Sequence, residues 1–118
     1  MVERSRQQEC ALYEFGECSL DIPERILTRG CQRVHLAPKT YHVLVALVTR
    51  ANCLVTKGEL LERVWPGVFV EQGILTVHVA YLRRALGERE SGWRYIETVS
   101  RAGYRFIAPV TGGRREPK

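Results

Sequence analysis

Between Gln72 and Leu86 the chain carries two arginines, a histidine, a tyrosine and a threonine, and no carboxylate. At about 100° per residue, Val79, Leu82 and Leu86 fall within about 40° of Leu75 and form an apolar stripe with it. Val77, Ala80, Tyr81 and Arg84 then lie on the opposite face, with Thr76, His78 and Arg83 on the flanks. An exposed helix face without an anion suits a polyanionic partner, because guanidinium groups donate in a fork that matches phosphate and base edges. A second candidate follows at Ser100-Arg101-Ala102-Gly103, which joins two strand-like runs, Tyr95–Val99 and Tyr104–Val110. Arg101 sits at the tip of that hairpin, with Arg94 and Arg105 on its strands, and Gly103 is read as the residue whose backbone freedom makes the turn. A narrow minor groove, with its enhanced negative potential, attracts an arginine presented in this way.

The remaining reactive residue types suggest no catalysis. The sequence has no G-x-S-x-G, no Walker loop and no H-E-x-x-H, and Cys10, Cys18, Cys31 and Cys53 are spaced too widely for a zinc knuckle. The expectation is a non-enzymatic protein with no cofactor and no metal, whose thiols are reduced and structural. His35 and His42 are read as structural or solvated.

These groups need elements to position them. Residues 12–36 read as a small antiparallel sheet of short strands: Leu12–Phe15, Cys18–Asp21, Arg25–Thr28 and Gln32–Leu36, the last two flanking an Arg29-Gly30 turn. The period then changes. Pro38 opens a helix whose apolar positions Tyr41, Leu44, Val45 and Val48 follow i, i+3, i+4, i+7 and which ends near Asn52. Thr56-Lys57-Gly58-Glu59 is a capping-box pattern that starts a second helix, burying Leu60, Leu61 and Val64 and stopped by Pro66-Gly67. The third helix runs from about Glu71 to Leu86, and Gly87 ends it. The outcome is an α+β fold, a winged helix-turn-helix with an N-terminal antiparallel sheet, a three-helix core and a C-terminal hairpin. Residues 1–9 are read as a flexible tail, 10–110 as one domain and 111–118 as a linker-like tail.

Composition agrees with this. The 118 residues fit one domain, and 45% hydrophobic content excludes a wholly disordered chain. The longest apolar run, Val43–Val48, cannot cross a bilayer, and the charged N-terminus is not a signal peptide, so a cytoplasmic location without membrane contact is expected. Basic and acidic residues balance up to Glu71, nine of each, whereas Gln72 to Lys118 carries nine against four. The entire excess therefore lies where the third helix and the hairpin are, and 15 of the 18 cations are arginine.

The chain resembles the OmpR/PhoB-type winged-helix domain of bacterial transcription regulators over residues 12–110. The resemblance rests on Leu36-Ala37-Pro38-Lys39 with Leu44, Val55-Thr56-Lys57-Gly58-Glu59-Leu60-Leu61 and Val64-Trp65-Pro66-Gly67. It continues through Leu75-Thr76-Val77-His78-Val79, Leu82-Arg83-Arg84-Ala85-Leu86-Gly87, Tyr95-Ile96-Glu97-Thr98-Val99 and Gly103-Tyr104-Arg105-Phe106. It implies a four-stranded N-terminal sheet, the third helix in the major groove of double-stranded DNA and the wing in the adjacent minor groove. It also implies direct-repeat sites bound by head-to-tail pairs, and a loop, here Pro66, Gly67, Val68, Phe69 and Val70, that contacts RNA polymerase. By the same resemblance, His78 and Arg83 contact phosphates, Val77 packs on a thymine methyl, and Trp65, Thr98 and Tyr104 stand where the DNA backbone is touched.

Taken together, Arg83, Arg84, Arg101 and His78 are expected to position the domain on phosphates, and Thr76, Val77 and Tyr81 to read base edges. For Trp65 and Tyr104, packing is the alternative to contact. Departures from the family pattern are Thr76 for a frequent Asp, Ala80 and Tyr81 for frequent Arg, Ser100 for a wing Arg, and Ala37 for a capping hydroxyl, the last at about 1 kcal/mol. The base code should differ accordingly. Two-component-like signalling and a further module after the tail, as in CadC/ToxR-like regulators, are also implied. Two other readings stay open: a winged helix that docks on RNA polymerase or another regulator, and a nonspecific nucleic-acid binder.

Overall fold

The computed structural model describes residues 12–113, in two compact units. The expected tail at residues 1–9 and residues 114–118 lie outside the described residues.

The first unit runs up to His35 and resumes at Pro109. Its strands β1 (Leu12–Phe15), β2 (Cys18–Asp21), β3 (Ile26–Arg29) and β4 (Gln32–Val34) form an antiparallel meander. Phe15 pairs with Cys18 and Leu20 with Leu27, so all four side chains lie on the buried face, as the two-residue period of a strand requires. The sheet has a fifth strand that the expected four-stranded version lacks. Residues 111–113, read from sequence as part of a linker-like tail, pair antiparallel with β1. Gly112 allows the close approach: a Cβ on it would lie 2.3 Å from the Leu12 carbonyl oxygen.

The second unit, residues 36–108, holds the helices. Helix α1 (Pro38–Val48) opens on Ala37 with no side-chain cap, and Pro38 fills the first turn. It buries Thr40, Tyr41, Val43, Leu44, Ala46, Leu47 and Val48. This near-complete burial follows from its place, because α1 packs against both later helices and the wing strand. It stops at Val48 rather than near Asn52, since Arg50 and Ala51 donate to carbonyls only three residues back. Asn52 then takes a left-handed backbone (φ 68°) and its N–H bonds Phe106 O at 2.8 Å. That bond leads the chain into β5 (Leu54–Thr56), a strand the sequence pattern does not reveal.

Helix α2 (Lys57–Val64) begins with the expected capping box: Glu59 N–H donates to Thr56 Oγ1 at 3.1 Å, and Thr56 N–H to Glu59 Oε1 at 2.9 Å. The Thr56 N–H holds the Glu59 carboxyl below its usual range, helped by Arg50, whose Nη1 lies 3.3 Å away. Leu60 and Val64 are buried, whereas Leu61 is only half-buried. Helix α3 (Gly73–Leu86) buries Leu75, Val79, Leu82 and Leu86, the expected stripe, and Gly87 closes it at φ 79°. A single turn, α4 (Glu88–Ser91), leads to β6 (Ile96–Val99) and β7 (Gly103–Phe106). With β5, these form a three-stranded sheet in the order β5-β7-β6.

Candidate nucleic-acid interface

The stripe that buries one side of α3 leaves the other side in solvent. Thr76, Val77, Ala80, Tyr81 and Arg84 are exposed together, Val77 at 61% and Tyr81 at 48%. Two large apolar groups held in water on one helix face are a feature that the hydrophobic effect does not explain within the monomer.

The flanking residues also make contacts within the fold. His78 is half-buried: its Nδ1 lies 2.9 Å from Thr40 Oγ1, and its ring is 5.5 Å from that of Trp65. Burial lowers its pKa, which keeps the imidazole neutral near pH 7. Trp65, half-buried at the end of α2, carries Lys39 Nζ 5.9 Å from its ring centre. The same ammonium donates to Val64 O at 2.9 Å, capping the last turn of α2. The Trp65 ring thus packs between His78 and Lys39 and stays partly exposed. Lys39 and Thr40, to which the sequence reading gives no role, thus join α1 to both helices of the helix-turn-helix.

Arg83 fastens α3 to the wing. Its Nε and Nη2 donate to Ile96 O at 3.3 and 2.9 Å, and Nη2 also reaches Thr98 Oγ1 at 2.9 Å. Glu88 works on the same stretch of strand, accepting the N–H groups of Tyr95 and Ile96 at 2.8 and 3.0 Å. Its other oxygen lies 3.9 Å from Arg83 Nε. Arg83 and Glu88 therefore satisfy both polar groups of the Ile96 backbone and fix the wing's root to the end of α3.

The wing is also held at its tip. Lys57 N–H, one of the donors a helix N-terminus leaves unpaired, bonds Ala102 O at 3.1 Å. Gly103 is required here for a reason other than turn geometry. Its φ is not positive, but a Cβ on it would lie 2.1 Å from Val55 O and 2.8 Å from Thr56 Cα. The left-handed residue of the turn is Arg101 (φ 64°), whose side chain is exposed at the tip. Arg105 is paired with Glu97 at 2.9 Å, so it adds less to the wing's charge than the sequence count suggests. Tyr104, read from sequence either as touching the DNA backbone or as packing, is buried. It is 4% exposed and shares with Phe106 the buried face of β7. Thr98 is exposed and accepts the Arg83 bond.

The expected polymerase-contact loop is in solvent from Pro66 to Phe69, with Phe69 91% exposed and Val70 half-buried. Among the described residues no group of His, Cys, Asp and Glu could hold a metal, and no helix is long and apolar enough to cross a membrane.

An exposed, anion-free α3 face beside a hairpin fastened to it at root and tip defines a winged helix-turn-helix domain. The chain belongs to the family described as "Transcriptional regulatory protein, C terminal", the OmpR/PhoB type, which it matches over residues 31–106. It is 43% identical over 84 residues to the transcriptional regulator HilA of Salmonella typhi, covering 71% of this chain and 15% of HilA. It is 35% identical over 94 residues to the phosphate regulon transcriptional regulatory protein PhoB of Pseudomonas aeruginosa, covering 79% of this chain and 40% of PhoB. The chain thus spans less than half of either relative. Among solved structures, it resembles the Klebsiella pneumoniae RstA DNA-binding domain in complex with the RstA box, at TM-score 0.70 and 26% identity. That likeness covers 81% of this chain and 96% of the RstA domain.

Proposed function

We propose that this chain is a sequence-specific binder of double-stranded DNA that serves transcription regulation, with α3 in the major groove and the wing in the adjacent minor groove. The observation that carries the reading is the α3 face itself: Thr76, Val77, Tyr81 and Arg84 exposed together, with no carboxylate from Gln72 to Leu86. An α-helix fits the major groove, where each base pair presents a distinct set of donors, acceptors and methyl groups. Thr76 and Tyr81 offer hydroxyls to base edges and Val77 a methyl surface to thymine. Arg84 and Arg101 supply phosphate and minor-groove contacts. Arg83 spends Nε and Nη2 on Ile96 and Thr98 and offers Nη1 to a phosphate, while His78 offers its Nε2 edge. The RstA domain, a fold neighbour above 25% identity, is known in complex with its DNA box. Binding as head-to-tail pairs on direct repeats and a cytoplasmic location belong to the same reading.

The loop from Pro66 to Val70 supports a contact with RNA polymerase, because an exposed Phe69 beside an exposed Val68 offers an apolar surface the fold itself does not use.

The test is selection of bound duplexes from randomised DNA at about physiological salt. Enrichment of a short motif, in direct repeat, is the expected result. Uniform recovery of all sequences, with a steep salt dependence, would replace the reading with charge-driven binding. No recovered DNA would leave only a docking role.

A further inference from the structure

A second basic feature lies at the far end of α3. Arg83 and Arg84 of α3, Glu88, Arg89 and Glu90 of α4, and Arg94 ahead of β6 line one recess of about 570 Å³. Two of these groups are already committed: Arg83 to Ile96 and Thr98, and Glu88 to the N–H groups of Tyr95 and Ile96. What remains is Arg84, Arg89 and Arg94, all exposed, against the single exposed carboxylate of Glu90. None of the three arginines forms a salt bridge among the described residues. Like charges brought from three elements to one concavity repel one another and raise the local potential, which only an anion relieves. Guanidinium forks match tetrahedral oxyanions in bidentate geometry.

We propose that this recess is a phosphate site, with Arg84, Arg89 and Arg94 as its donors. The phosphate comes either from the DNA backbone beyond the bases that α3 reads, which rests on the function proposed above, or from a free diphosphate-type anion, which does not.

The experiment has two arms on the full chain. In the first, inorganic pyrophosphate is titrated while the arginine side-chain N–H signals are followed by NMR. In the second, duplex affinity is measured against salt for the parent and the Arg89→Ala/Arg94→Ala variant, whose melting temperature should match the parent because both side chains are exposed. A DNA source predicts that the variant weakens all sequences alike and lowers the salt slope by about 1.8, two phosphates at about 0.9 each. A free-anion source predicts saturable shifts of the Arg84, Arg89 and Arg94 signals that the variant abolishes, with an unchanged DNA slope. Absence of both effects overturns the site. If the parent binds no duplex at all, the DNA function fails and the pyrophosphate arm alone decides the recess.

Discussion

Replacing Gly103 with alanine is expected to destabilise the wing by about 3 kcal/mol, although it adds one methyl group. The new Cβ would stand 2.1 Å from Val55 O and 2.8 Å from Thr56 Cα, where real Cβ contacts keep at least 3.0 Å. Both neighbours are backbone, so no side chain can swing away, and β7 has to part from β5 by about 1 Å. That movement strains the Val55–Tyr104 and Thr56–Gly103 pairings and the Lys57 N–H bond to Ala102. Overpacking costs about 1–3 kcal/mol and each weakened hydrogen bond about 1 kcal/mol. For a domain of this size, 3 kcal/mol lowers the melting temperature by about 12–24 °C. Thermal unfolding followed by circular dichroism measures this directly. Gly58→Ala is the control: nothing lies within 4 Å of its Cβ, so it should hold or raise stability by up to about 1 kcal/mol. A Gly103→Ala protein that melts with the parent would refute the close docking of wing on β5.

Arg83→Ala should cost about 2 kcal/mol, after discounting for its one-third exposure, and Arg83→Lys should recover less than half, because lysine has one nitrogen and cannot keep both the Nε and the Nη2 bonds. A lysine variant that melts with the parent would show that charge alone matters there. Arg101→Gly should raise stability by about 0.5–1 kcal/mol by relieving a left-handed backbone, yet weaken duplex binding, most at A·T-rich flanks. A loss in both, or in neither, would deny Arg101 its role. The lowered pKa of His78 makes the unfolded chain bind more protons than the folded one, so its contribution is complete above about 6.5 and fades as pH falls through the lower folded value. Melting temperature should therefore decline more steeply below pH 6.5 in the parent than in His78→Gln, and parallel curves would show no such linkage.

What the sequence made legible is what is decided locally. The Thr56–Glu59 capping box needs only residues three apart, and the α3 stripe needs only the helical period, so both appear as expected. The missed features depend on partners distant in the chain. Strand β5 and the strand at 111–113 are three residues each and exist through pairing with β7 and β1. Arg83 binds groups 13 and 15 residues away, and no spacing rule distinguishes such a clamp from a free phosphate contact. The demand on Gly103 comes from the neighbouring β5 strand, so its turn-like setting suggested the wrong reason. Tyr104 lies on the inner face of a strand whose partner order was not visible, and an aromatic there reads equally as contact or core.

The most direct test of the central claim is to sequence the duplexes recovered by the parent and by Tyr81→Ala from the same randomised pool. If the α3 face reads bases, the parent enriches a motif and the variant, equally stable because Tyr81 is half exposed, loses preference at one or two adjacent positions while keeping the rest. An identical motif from both proteins, or none from either, would contradict it.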